Sequence, residues 1–264
     1  MRKRVYIALA VVLVMLAGVI AWQVLQPRER EPVYQGKRLT FWLHEAYSGT
    51  GPDVQRAEEV LRQAGTNAIP TLLRMLRAKD SFLKVKLMDL ANRQHILKIE
   101  CPPAGEWHYV AAKAFWVLGT NAQSAVPALI EIANQHISPN SQYCALASLG
   151  HIGPPAKEAL PSLLRWATNA DTSLRVGAIY ALGRIRTGQD WVVPVLINAL
   201  RDPNPYVRNW AVKGLGEFGP NAKLAVPALV EFLNTHDGST SDRSQVTNAL
   251  LTIDPEAAAK AGVK

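Results

Sequence analysis

Reactive groups are scarce in this chain. Its 264 residues include two cysteines, Cys101 and Cys144. Two thiols allow at most one bridge, so a disulfide-dense framework is excluded, although an oxidising compartment would permit that one pair. No glycine-rich phosphate loop, no nucleophile elbow and no pair of inward carboxylates occurs, which removes the common phosphoryl- and acyl-transfer constellations. The nearest approach to a ligand cluster is His95, Glu100, Cys101, Glu106 and His108, around a Cys101-Pro-Pro turn. Its spacing fits no closed zinc pattern. No catalytic residue, metal ligand or cofactor is therefore assigned.

A strong charge of one sign is missing as well, despite a formal net charge of +8. Residues 1–40 carry seven basic and two acidic side chains, a net +5, and the rest of the chain carries 22 and 19, a net +3. A phosphate-tracking surface needs a continuous basic stripe. The partner classes therefore exclude nucleic acid.

What the chain has in quantity is self-similarity. Gly219-Pro-Asn-Ala with Val226-Pro-Ala-Leu recurs as Gly119-Thr-Asn-Ala with Val126-Pro-Ala-Leu, and as Gly153-Pro-Pro-Ala with Leu160-Pro-Ser-Leu. Related segments are Pro194-Val-Leu, and Gly65-Thr-Asn-Ala ahead of Pro70-Thr-Leu. Pro127, Pro161, Pro194 and Pro227 recur at an almost constant interval. A period of roughly 33 residues indicates stacked helix pairs. Upstream of each proline runs an apolar stripe at helical spacing, such as Leu174, Ala178, Ala181, Leu182 and Ile185. Ala111, Ala145, Ala178 and Ala211 fall in register, so the first helix of each pair can approach its neighbour closely. The following glycine suits a helix end with positive φ, and Val-Pro or Leu-Pro opens the second helix, where proline's missing N–H costs nothing. Residues two, three and six past each proline are apolar, as in Leu229, Val230 and Leu233.

Asp202-Pro-Asn-Pro-Tyr-Val207-Arg208, with Ala211, Leu215-Gly216 and Phe218-Gly219, resembles a HEAT repeat of the phycobilisome-lyase-like subtype common in bacteria. Asp171, Leu174, Arg175, Ala178 and Leu182-Gly183 match the same pattern. The copies at 108–137 and 141–170 carry His108 and Gln142 where the arginine would stand, and the copy at 53–80 has a hinge three residues shorter. Residues 242–258 repeat a first helix and then stop, as a cap would. The resemblance implies an all-α fold: an α-solenoid of about five helix pairs with caps, over 39–264. Some HEAT-like proteins bind iron through several His-Glu pairs, whereas this chain has His44-Glu45 alone. The subtype's name describes the repeat, and the lyase activity does not come with it.

Val5 to Leu25 is 21 residues without a charge, between Met1-Arg-Lys-Arg and Pro27-Arg-Glu-Arg-Glu-Pro. That length spans a bilayer core. A cleaved signal would carry a shorter apolar region and a small-residue cleavage site. The expected organisation is an anchor at 1–26, a linker at 27–38 and the solenoid at 39–264. Basic residues before the anchor place the N-terminus in the cytoplasm. The solenoid of a single-pass bacterial inner-membrane protein then faces the periplasm.

One stretch breaks the period. Ser81 to Leu97 predicts an extra helix, and an inserted loop continues to about 107. Insertions in repeat arrays often carry the binding face, and tryptophan and tyrosine dominate binding hot spots. Trp107, His108 and Tyr109 are thus candidate partner contacts, although Trp107 and Tyr109 could equally seat the next helix. A second candidate is the ridge four residues past each proline: Arg74, Glu131, Arg165, Asn198 and Glu231. Leu39 to Tyr47 predicts an N-terminal capping helix. The expected function is a non-catalytic, membrane-tethered scaffold for a protein or peptide. The alternative is an enzyme, or lyase-like chaperone, using the insertion around Cys101. A purely structural spacer is a third class. Three or more ligands of one metal converging near Cys101 would favour the enzyme, and a concave groove lined with aromatic and polar groups the scaffold.

Overall fold

The computed structural model describes residues 31–82, 85–86, 102–235 and 240–262. The predicted anchor, Cys101 and most of the predicted helix at 81–97 lie outside them. Among the described residues no helix is long and apolar enough to cross a membrane.

The described chain begins with a two-stranded hairpin, β1 (Val33–Tyr34) and β2 (Lys37–Arg38), where a linker was expected. The capping helix α1 (Leu39–Ser48) follows, and buries Leu39, Trp42, Leu43 and Ala46. Trp42 Nε1 donates to the Tyr34 carbonyl at 2.9 Å, which ties the hairpin to the cap. Five helix pairs come next: α2 (Pro52–Ala64) with α3 (Ile69–Leu76), α4 (Ala104–Leu118) with α5 (Val126–Asn134), and α6 (Pro139–Ile152) with α7 (Leu160–Trp166). The last two are α8 (Thr172–Ile185) with α9 (Gln189–Ala199), and α10 (Pro205–Phe218) with α11 (Val226–Thr235). The C-terminal cap is α12 (Thr240–Ile253) followed by a short α13 (Pro255–Lys260), which the periodicity did not predict.

The packing follows the sequence stripe. Ala57, Ala111, Ala145, Ala178 and Ala211 are fully buried. In the second helices the residues two and six past the proline are buried, while those three past it are half-buried against the same core. Four pairs are joined through a 3-10 turn that begins at or just after a glycine. Gly219, for instance, stands at φ 54° and ψ −135°, a conformation open to glycine alone. The proline then falls in the first turn of the second helix, as expected.

Pro194 departs from that scheme. It sits inside α9, because Thr187-Gly188 lacks the hinge sequence and the helix already starts at Gln189. Arg186, in a left-handed conformation (φ 52°, ψ 36°), ends α8 in place of the hinge glycine.

One register position links each pair to the one before it. Arg208 Nη1 donates to the carbonyls of Asp202 and Pro203 at 2.8 and 3.0 Å. Arg175 Nη1 donates to those of Asn169 and Ala170, both at 2.9 Å. Gln142 Nε2 reaches the Ala133 carbonyl at 2.9 Å. His108 Nε2 lies 3.0 Å from the Ala78 carbonyl. Each side chain thus donates to carbonyls at, or just past, the C-terminal end of the preceding second helix.

This linkage corrects the reading of the insertion. Trp107, His108 and Tyr109 are not in a loop; they lie in the first turns of α4. The Asp80 carboxylate accepts from the Ala104 N–H at 2.9 Å, so a residue 24 positions upstream caps that helix. Asp80 thereby meets the start of α4, and α3 packs against α4.

The first helices form the closer-packed layer, α8 lying between α6 and α10 and α10 between α8 and α12. A Cβ built on Gly183 would stand 2.6 Å from Gly214 Cα, and one on Gly216 3.3 Å from the Ala249 Cβ. Gly150 receives the Tyr180 ring, whose Cε1 would meet an added Cβ at 2.8 Å.

Helix propensity alone would make Gly183→Ala stabilising by up to about 1 kcal/mol. Here backbone meets backbone, and overpacking of about 1–3 kcal/mol should win. In urea melts of the full chain, Gly183→Ala is expected to lower stability. Arg165→Ala, on an exposed side chain, should stay within about 0.5 kcal/mol. A Gly183→Ala protein as stable as the parent would show that the close helix contact is absent.

Candidate functional site

The sequence-predicted contacts do not converge. His108 is 1% exposed and occupied with the Ala78 carbonyl, so it is a structural donor rather than a partner contact. Burial lowers its pKa, against the opposing pull of that carbonyl and Asp80. Trp107 is partly buried against the core. Of the three, Tyr109 alone is exposed, and it lies 3.5 Å from Asn140 Oδ1. The ridge residues Arg74, Glu131, Arg165, Asn198 and Glu231 are all exposed, but they are spread one per second helix. Several are engaged locally: Arg77 with Glu131 at 3.5 Å, Arg165 with Asn134 at 3.2 Å and Arg201 with Glu231 at 3.1 Å.

The alternative centre around Cys101 receives no geometry, since Cys101, Glu100 and His95 lie outside the described residues. Its described members are accounted for elsewhere. Glu106 lies 3.5 Å from His44, and His108 is a rung between repeats. No group of three His, Cys, Asp or Glu side chains fit to hold a metal occurs among the described residues. Cys144 is a free, fully buried thiol whose pKa burial pushes up to about 12, which leaves it a poor nucleophile.

What the fold does assemble is an open groove of about 750 Å³ across the outer face of the first helices. Its floor is Gly183, Gly214, Gly216 and Ala249, where close helix packing leaves no room for side chains. Its aromatic wall is Trp116 from α4, Tyr180 from α8 and Trp210 from α10. Tyr180 and Trp210 meet edge to face, with ring centroids 4.6 Å apart. On the other side of Tyr180 stands His151, whose Nδ1 is 2.9 Å from the phenol oxygen. Trp116 is 48% exposed, with Lys113 Nζ 3.8 Å from its ring centre. Arg184, Arg186, Lys213 and Glu217 supply the charge, while Gln245, Asn248 and Thr252 of α12 form the neutral far side.

The wall is joined by contacts among its own side chains. Burial, with Arg184 and Lys113 nearby, pushes the His151 pKa down to about 4, so the imidazole is neutral in ordinary buffers. Burial also raises the Tyr180 phenol, against the opposing effect of Arg184. The groove presents aromatic faces, cations and closely packed glycines.

The periodic register hid these residues. Trp116, Tyr180 and Trp210 do not recur at one repeat position. The signal that could have revealed them is Gly150, Gly183 and Gly216, each one repeat from the next and inside a helix, where glycine is costly unless something must come close.

Residues 160–251, from the start of α7 into α12, match the family described as HEAT repeats. Among curated proteins none matches the chain. Three solved structures are similar at low identity. An engineered protein from a structural genomics consortium shares 17% identity over 84% of this chain and 97% of its own, with a TM-score of 0.43. A designed armadillo repeat protein in complex with the peptide (KR)4 shares 15% over 82% and 99%, with a TM-score of 0.45. Kap121p bound to Pho4p shares 14% over 85% of this chain and 30% of that one, with a TM-score of 0.47.

The pKa of His151 gives a stability signature. Unfolded, its imidazole takes up a proton near its ordinary pKa of 6.5, while the folded group stays neutral down to about 4. The unfolded state therefore binds more protons between those values, and stability falls as pH drops from 6.5 towards 4. The loss should be on the order of 2 kcal/mol, allowing for the partly exposed ring edge. His151→Gln keeps an acceptor for Tyr180 without titrating. Its urea midpoint should shift less between about pH 7 and pH 4.5 than the parent's, and equal shifts would assign the loss to other groups.

Proposed function

We propose that the chain is a non-catalytic, membrane-tethered scaffold that holds a protein or peptide in the groove over α8, α10 and α12. The repeats are HEAT repeats of the phycobilisome-lyase-like subtype. Val5 to Leu25 serves as an uncleaved signal anchor, with the N-terminus in the cytoplasm and the solenoid on the periplasmic face of a bacterial inner membrane.

The observation that carries the reading is the pairing of a glycine floor with an aromatic wall. A peptide lying over α8, α10 and α12 meets the partly exposed Gly216, with Gly183 and Gly214 buried against each other beneath it. It then buries its apolar groups against Tyr180 and Trp210, whose edge-to-face contact and bond to His151 are already made. Preordered aromatic surface loses little entropy on binding. The groove takes over the role first expected of Trp107 to Tyr109.

A photo-reactive amino acid at Thr252, beside the groove, should give a discrete crosslinked product in intact cells, identified by mass spectrometry. Trp210→Ala should abolish that product with helical circular dichroism unchanged. The same probe at Arg165 should give none. Products from Arg165 that are insensitive to Trp210→Ala would move the docking surface to the second-helix ridge.

The address is tested separately. A chain retaining its uncharged segment Val5 to Leu25 should stay with membranes through an alkaline carbonate wash. A purified protein whose first residue lies near Trp22 would instead be a secreted solenoid.

A further inference from the structure

We infer that the occupant of the groove is an extended acidic peptide segment with aromatic or apolar residues between its carboxylates. The inference rests on the reading of the groove as a docking face and adds the chemistry of its ligand.

The argument is charge bookkeeping along one wall. Arg184 Nη1 lies 3.1 Å from one oxygen of Glu217, and Arg186 Nη1 lies 3.5 Å from the other. Two guanidiniums thus share one carboxylate. Each guanidinium has five N–H donors, so the pair retains unused donors and a net positive charge. Lys213 stands over the Trp210 ring, its Nζ 4.6 Å from the centroid. Glu217 is the one carboxylate on the lining. With three cations against one anion, the groove carries an excess of two positive charges beside its aromatic wall. A second carboxylate entering here completes a bidentate pair with the guanidiniums, the strongest polar contact they make.

The positions of the charges select a peptide. The cations gather at α8 and the facing side of α10, and the α12 side is neutral, with the Asn248 amide and the Thr252 hydroxyl. Nucleic acid needs cations that follow a backbone of repeated phosphates, and the next cation along the wall, Lys113, is already paired with Glu58. An amide on the far side offers a donor and an acceptor together, as peptide backbone requires. Charge on one side, aromatic faces beside it and amide opposite fit a chain that presents a carboxylate, a ring and its backbone in turn.

The test uses three fluorescein-labelled decapeptides, alternating tyrosine with glutamate, glutamine or lysine, and the full-length chain in a mild non-ionic detergent. Fluorescence anisotropy at low salt should show the glutamate peptide binding at least about tenfold tighter than the glutamine peptide, a gap that closes as salt screens the contact. Arg184→Gln and Lys213→Gln should each weaken it several-fold. Glu217→Gln, which removes the competing carboxylate, should tighten it, a direction that loss of structure would not produce. If the glutamine or lysine peptide binds as well or better while Trp210→Ala still abolishes binding, the charge inference falls and the groove remains the docking face. If binding ignores Trp210→Ala, or none of the three peptides binds, both readings fall.

Discussion

The array depends on a single donor position that recurs in four of its five helix pairs. A helix ends with carbonyls that have no partner in the helix, and a solenoid presents such an end at every inter-repeat turn. Here the next first helix supplies a donor to the carbonyls at or just past that end, from Arg175 and Arg208 where two are reached, and from Gln142 and His108 where one is. Arg175 adds a second function. Its Nε and Nη2 hold Asp202 at 2.8 and 3.2 Å, while the Asp202 carbonyl accepts from Arg208. Burial would raise the Asp202 pKa, but Arg175 and the Asn204 N–H hold it below the usual carboxylate range. The three residues form a continuous polar chain between pairs. Loss of one member would leave a largely buried charge without its partner, which costs more than the pair itself contributes.

That chain fixes how closely the first helices lie, and the spacing makes the groove. With the pairs held in register, Gly183 meets Gly214 backbone to backbone, and Gly216 meets Ala249. Helix-interior glycine is intrinsically unfavourable, so the gain must come from packing across the interface. Over that contact lies the groove, bordered by Tyr180 and Trp210. The same glycines set the helix spacing and lie on the lining of the groove.

The fold was legible because its physics repeats. The regular proline spacing, the alanine register and the hinge glycines state the same contact several times, and each lands where the spacing puts it. What repetition could not state was misread. Cys101-Pro-Pro looks like the rim of a loop that continues through Tyr109, since the cap of α4 is Asp80, far upstream in sequence. His108 and Gln142 look like departures from an arginine pattern, yet they perform its donor function with fewer bonds. Pro194 keeps the period but not the hinge, and α9 starts ahead of it, at Gln189. The groove was invisible for a related reason. Its aromatic residues come from unequal positions in three repeats, so a register that aligns like with like cannot bring them together.

Unequal positions are also what make the groove a place rather than a stripe. At the register of Gly150, Gly183 and Gly216, the α4 repeat carries Trp116. A glycine there would extend the open floor another repeat towards the N-terminus. The indole fills that space and puts a half-exposed ring, with Lys113 above it, at the end of the track. Lys113 is itself held by Glu58 of α2 at 3.3 Å, so the end wall is tied back to the first pair. Beyond α10, the same register is occupied by Ala249, small enough to keep the floor but not to let backbone meet backbone. A repeating array has no intrinsic binding site, because every repeat offers the same face. Departures at two positions of a single register, one large and one slightly larger than glycine, give this one a beginning and an end.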